Sequence, residues 1–130
     1  MTNMGSFDAN DNGGSFIFNG TNNWGVLSIT NTTLSQSTFV AVVKTFGRSG
    51  WAEILDLGND NLLIGTKSNV LYFFSPEATS TFTLNTNIWY FLAFSLSSSG
   101  ALKFYVNGSN IYSTTILSSL VAIPSNARFQ

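Results

Sequence analysis

IWYFLAFSLSSSGALKFYVNGSNIY, residues 88–112, decides how this chain folds. Asn107-Gly108 lies between two alternating apolar runs. A two-residue type I′ turn needs positive φ at both central positions, which Asn and Gly tolerate best. A hairpin about that turn sets Val106 against Ser109, Phe104 against Ile111 and Leu102 against Ser113. Side chains alternate along a strand, so Lys103, Tyr105, Asn110 and Tyr112 fall together on the other face. The hairpin then has one core face and one amphipathic face. The preceding run differs. Ile88, Tyr90, Leu92, Phe94 and Leu96 share one face, and Trp89, Phe91 and Ala93 make the opposite face apolar too. A strand apolar on both sides is expected to be covered on both, in the middle of a sandwich.

The rest of the chain repeats this pattern. Further strands are expected at 15–19, 24–29, 38–46, 51–57, 61–65, 70–74 and 79–84, from β-branched and aromatic runs. Turns fall at 20–23, 47–50, 58–60 and 66–69, and 30–37 reads as a polar loop. A last strand begins at Ala127. The nearest approach to a helical turn is 114–123, but it is rich in β-branched residues and Ser. Many short strands at even spacing indicate an all-β, two-sheet antiparallel sandwich of jelly-roll type. Residues 1–14 are polar and are expected to form a flexible entry, with a single sandwich domain over 15–130.

Composition narrows the function. The chain has 130 residues, 44% hydrophobic and 15% aromatic, enough for one core. Only 8% are charged and the formal net charge is −1, against a usual charged quarter. Ser, Thr and Asn keep the surface in water, as in many β-rich secreted and virion proteins. With no basic patch, binding of nucleic acid through phosphates has no electrostatic basis, and neither has polybasic attachment to membranes. No run is long enough to span a bilayer as a helix. The absence of Cys excludes disulfides, thiol catalysis and Cys-type zinc sites. The absence of His removes the commonest general base. The opening MTNMGSFDANDNGG has neither a basic n-region nor an apolar h-region, so no secretion signal is expected in it. An extracellular or virion-surface location is expected instead from the composition, by whatever route the chain takes there.

Several ordered motifs carry a resemblance. Gly14-Ser15-Phe16-Ile17-Phe18-Asn19-Gly20, followed by Asn22-Asn23-Trp24, resembles an opening strand and turn of the pattern GSFxFDGxN. Phe39 to Lys44 resembles TISAWVK, and 51–65 (WAEILDLGNDNLLIG) is similar to a W-x-x-I-F-D-F-G-N…D-N-I-x-L segment. Trp89 to Ala93 is similar to WYHVAV, with Phe91 in the place of His, and Leu102 to Gly108 to LKLYVNG. Together they resemble the laminin G-like domains of the concanavalin A-like lectin/glucanase superfamily. That resemblance implies a jelly-roll sandwich and assigns Trp89 to packing. It also implies a closing strand that would begin about where this chain stops, at Phe129-Gln130, so that either the chain is a fragment, or a neighbour completes the sheet, or that strand is dispensable.

Candidate chemistry follows. Glucanases use paired carboxylates. Glu53 and Asp56 are three apart, which puts them on opposite faces of a regular strand, so no catalytic residue is expected and the chain is read as a non-enzyme. The resemblance also implies a calcium site at a loop rim. Asp56, Asp60 and Asn61 are the candidate ligands, although turn chemistry explains the same residues and no cofactor is required. Saccharides stack on aromatic faces and bond to a few placed polar groups. Trp24, Trp51, Tyr72, Lys103, Tyr105, Asn110 and Tyr112 are the candidates, weighed against simple packing for the large aromatics. The expected function is a non-catalytic, lectin-like module for glycan or surface polymer. The alternative is a structural or adhesion protein, such as a virion component, that binds neighbouring protein subunits and forms an oligomer.

Overall fold

The computed structural model describes residues 5–19, 21, 23–28, 32–34, 36–47, 49–57, 62–74, 78–116, 121–123 and 126–129. Among them the regular elements are strands. In chain order they are β1 (Ser6–Asp8), β2 (Ser15–Ile17), β3 (Gly25–Ser28), β4 (Thr32–Leu34), β5 (Ser37–Lys44), β6 (Trp51–Leu57) and β7 (Leu62–Lys67). They continue as β8 (Val70–Phe74), β9 (Ala78–Thr83), β10 (Trp89–Leu96), β11 (Ala101–Val106), β12 (Ser109–Thr115), β13 (Val121–Ile123) and β14 (Asn126–Phe129). The pairings are antiparallel. A four-stranded sheet runs β12-β11-β10-β5 and a six-stranded sheet runs β3-β14-β6-β7-β8-β9. β1–β2 and β4–β13 form two-stranded pairs.

The two larger sheets bury their facing sides against each other, as period-two alternation dictates. Leu62, Ile64, Leu71 and Phe73 come from one sheet and Leu92, Phe94, Leu102 and Phe104 from the other. Phe104 lies at the centre, its ring 4.9 Å from Phe94, 5.1 Å from Tyr112 and 6.4 Å from Phe73. Burial of each such side chain contributes about 1.5–3 kcal/mol. β9 packs beside β12 and closes one side of the sandwich. Counting inward from there, β5 lies over β6, and β14 and β3 extend beyond it. The six-stranded sheet is therefore the wider one.

The β11–β12 hairpin forms about Asn107 (φ 50°) and Gly108 (φ 83°), the conformation of a type I′ turn. Its register holds for Val106↔Ser109 and Tyr105↔Asn110, then slips at a bulge. Beyond the bulge Phe104 faces Tyr112 and Leu102 faces Thr114. The extra residue turns Tyr112 onto the core side, so it does not share a face with Lys103 and Tyr105.

Other expectations are corrected too. β10 buries Tyr90, Leu92, Phe94 and Leu96, but its other face is open, and Phe91 is 45% exposed. The apolar outer residues of β10 are matched across the ladder by exposed Val40 and Val42 of β5, not by a covering layer. The polar entry contains β1, because Phe7 pairs with Phe16 in a small hairpin. The expected loop at 30–37 contains β4, which pairs with β13. Thr114 and Thr115 continue β12 rather than start a helical turn. The expected turn at 58–60 lies outside the described residues.

Candidate functional site

The outer face of the six-stranded sheet carries the best-formed site. Trp51 begins β6 and Lys67 ends β7, and the register places them opposite each other. The Lys67 ammonium stands 4.5 Å from the Trp51 ring centroid, a cation–π contact. On the next strand, Tyr72 and Phe74 are two apart and so share that face. Trp51 meets Tyr72 edge-on at 4.4 Å, and Tyr72 and Phe74 are near-parallel at 6.4 Å. Tyr72 is 2% exposed, whereas Trp51 is 46% exposed. The buried ring is a rest for the exposed one. A shallow cleft of about 240 Å³ lies here, lined by Trp51, Ala52, Glu53, Leu63, Tyr72 and Phe74.

β6 bends at this point. Glu53 pairs with Gly65, but after one extra residue Leu55 pairs with Ile64 and Asp56 with Leu63. Gly65 and Leu63 point outward, so Glu53 and Asp56 lie on the same face. The expectation that spacing separates them is overturned by this bulge. They differ in access instead. Glu53 lines the cleft, while Asp56 is 4% exposed and does not. The close approach of β6 also explains Gly65. A Cβ there would sit 2.3 Å from the Ala52 carbonyl oxygen.

The sequence candidates separate into groups. Trp51 and Tyr72 come together. Lys103, Tyr105 and Asn110 share the outer face of the four-stranded sheet, on the opposite side of the molecule, with Tyr105 directly across from Asn110. Tyr112 packs on Phe104. Trp24 is half-buried between β2 and β3 and is not among the cleft residues. Of the calcium candidates, Asp56 is buried within the sheet, and Asp60 and Asn61 lie outside the described residues. Among the described residues no three acidic side chains gather as a metal site would need. Lys67 and Phe74 escaped the sequence reading. Phe74 was legible two residues after Tyr72, but Lys67 needed the β6–β7 register.

Trp89, assigned to packing, does something else. Its indole N–H donates to Asp11 Oδ1 at 3.2 Å, and the Lys44 ammonium lies 5.0 Å from its ring centroid. Lys44 also forms an ion pair with Asp11. The Lys44 hydrogen bond holds the Asp11 carboxyl below its ordinary range, opposed by desolvation and aided by the Trp89 hydrogen bond. This cluster ties the β1–β2 hairpin to the end of β5.

Two sheets of these widths, packed face to face with wholly antiparallel ladders, match solved structures. A Bacteroides ovatus protein provisionally described as carbohydrate binding superimposes with a TM-score of 0.67 at 17% identity, over 80% of this chain and 33% of that one. The fold is concanavalin A-like. The same sandwich is found in a heptameric SAP-like pentraxin from Limulus polyphemus, with a TM-score of 0.59 at 16% identity, over 80% of this chain and 56% of that one. Domains LG4-5 of the mouse laminin α1 chain share the fold, with a TM-score of 0.57 at 12% identity, over 77% of this chain and 31% of their own length. The chain thus spans about a third to a little over half of these neighbours. No protein-family model and no curated protein sequence matches it.

Proposed function

We propose that the chain is a non-catalytic binding module and that the Trp51 cleft takes a saccharide. One observation carries the reading: a Trp ring nearly half exposed, held edge-on by a buried Tyr, with a lysine ammonium on it. A sugar's C–H face stacks on such a ring, and Lys67 and Glu53 supply charged hydrogen-bonding groups beside it. The Bacteroides ovatus neighbour, by its description, supports a carbohydrate. Glu53 is the carboxylate among the lining residues and Asp56 is buried, an arrangement unlike the pair of accessible carboxylates that hydrolysis uses, which supports binding without hydrolysis. Binding is proposed to need no metal, and an extracellular or virion-surface setting agrees with the charge-poor surface.

The test is a glycan array followed by titration calorimetry on any hit, with Ca²⁺ and with a chelator. Trp51→Ala is expected to weaken a hit at least tenfold, or about 1.4 kcal/mol, and the chelator to change nothing. A blank array, or a hit that Trp51→Ala leaves intact, sinks the reading.

A second reading has its own observation. Val40, Val42 and Phe91 form an exposed apolar stripe on the four-stranded sheet, beside Tyr105 and Lys103. This favours a protein surface as a further partner, and an oligomer among the outcomes. Sedimentation of the chain alone checks it, since a strict monomer at high concentration removes self-association.

A further inference from the structure

Among the described residues one side of the sandwich stands open. β5 pairs with β10 along all eight residues and, among the described residues, with nothing on its other edge. It carries none of the features that keep an edge from pairing: no proline, no bulge in its ladder, and one charge, Lys44, at its end. Beside it runs a cleft of about 1010 Å³. Its lining comes from β5 on one side, from β2 on the other, and from Ile54, Leu55 and Ile64 of the six-stranded sheet, which lie beneath β5 and β10. β2 is likewise unpaired on the edge away from β1 among the described residues.

Two further details bear on what fits. The hydroxyls of Ser37 and Thr45, at the two ends of β5, are shut off from water and have no hydrogen-bond partner. The charged residues of the cleft are Asp11, Lys44 and Glu53. Asp11 and Lys44 neutralise each other, and Glu53 has a partner of its own. Among the described residues the cleft therefore offers an unpaired backbone ladder and a largely apolar lining, with Asp11 and Lys44 paired to each other.

We propose that this cleft takes one extended strand from another polypeptide, uncharged and apolar at its inward positions and hydrogen bonded along β5. A bare run of backbone N–H and C=O groups is matched best by another backbone. A wall on each side admits a strand rather than a whole sheet. The inward positions follow from Phe39 and Val43, which pack against the core from the same face of β5. β5 itself shows the required character. An antiparallel strand of the same sequence, centred on Ala41, would set Phe against Val43 and Val against Phe39. It would also bring a Ser and a Thr hydroxyl to Thr45 and Ser37. This inference does not depend on the saccharide site, which is on the outer face of the other sheet.

The probe is a fluorescein-labelled peptide, STFVAVVKT, added to the full chain. Fluorescence polarisation should show saturable binding at one peptide per chain. Replacing the central alanine of the peptide with proline, which removes a strand N–H, should weaken binding at least tenfold. Hydrogen exchange should show the amides of residues 37–45 that face the open edge, every second one, slowed at least tenfold by the peptide, and Ser37→Ala with Thr45→Ala should lower affinity several-fold. Three results overturn the proposal: no binding, equal binding by the proline peptide, or binding without added protection in β5. If the chain alone dimerises and that dimer protects the same amides, the edge belongs to a second copy and the proposal also fails.

Discussion

Gly65→Ala tests the geometry on which the candidate site rests. The bulge after Glu53 presses β6 onto β7, so a new methyl carbon at 65 would stand 2.3 Å from the Ala52 carbonyl oxygen and 3.2 Å from Glu53 Cα. Both are backbone atoms, so no side chain can swing away. Ordinary contact requires the strands to part by roughly 1 Å. Overpacking of this kind costs about 1–3 kcal/mol, and with backbone on both sides the upper figure applies. Unfolding entropy near 2.1 cal/mol/K per residue gives about 0.27 kcal/mol/K for 130 residues. The expected loss is then about 11 °C in Tm, read by circular dichroism. Gly108→Ala is the control. A Cβ there meets nothing, but φ of +83° strains any L-residue by about 1–2 kcal/mol, or about 4–7 °C on the same scale. If Gly65→Ala melts within 2 °C of the parent, or is the milder of the two, β6 does not press on β7. The shared face of Glu53 and Asp56 would then be wrong.

Phe104→Ala should cost about 3–5 kcal/mol in urea unfolding, since a buried ring in contact with three others leaves a cavity. A loss under 1 kcal/mol would mean the two sheets do not share this core. Tyr112→Ala should lower Tm by several degrees and leave any glycan affinity unchanged, while Tyr105→Ala should lower it less. The reverse order would restore the unbulged hairpin. For Asp11 the folded-state pKa is lowered, chiefly by the Lys44 hydrogen bond. Its stabilisation is therefore complete above the ordinary carboxylate value near ~3.9 and is lost as pH falls through the lower folded value. The Tm gap between the parent and Asp11→Asn should accordingly shrink from pH 6 to pH 3, and a gap that widens in acid contradicts the assignment.

The sandwich was legible because its signals are local. Alternation in β6, β8 and β10 and the Asn107-Gly108 turn each need only neighbouring residues to be read. What the sequence hid depends on single inserted residues. Bulges after Asn110 and Glu53 turned Tyr112 inward and brought Glu53 and Asp56 to one side. Nothing in residue type marks those positions, because a bulge is set by how two strands twist together. Apolar residues at Trp89 and Phe91 also misled. An apolar face reads the same whether it is covered or open, and only the sheet order shows that, among the described residues, no layer lies over β10. The Trp51–Tyr72 pairing came through in part. Both were singled out for chemistry, but their contact spans three strands and could not be counted from spacing.

The place of β14 in the six-stranded sheet has a consequence for biosynthesis. Among the described residues β3 joins the rest of that sheet through residues 126–129, which pair with it on one side and with β6 on the other. A ribosome delivers β3 about a hundred positions before its neighbour. Until then, among the described residues, β3 has no partner in its own sheet and one edge of β6 is bare. The β10–β11–β12 meander, by contrast, can zip from nearest neighbours as it emerges. A nascent chain stalled before Asn126 should thus hold one sheet ready and the other unfinished. It would be in that interval, more than after release, that a holding chaperone is needed.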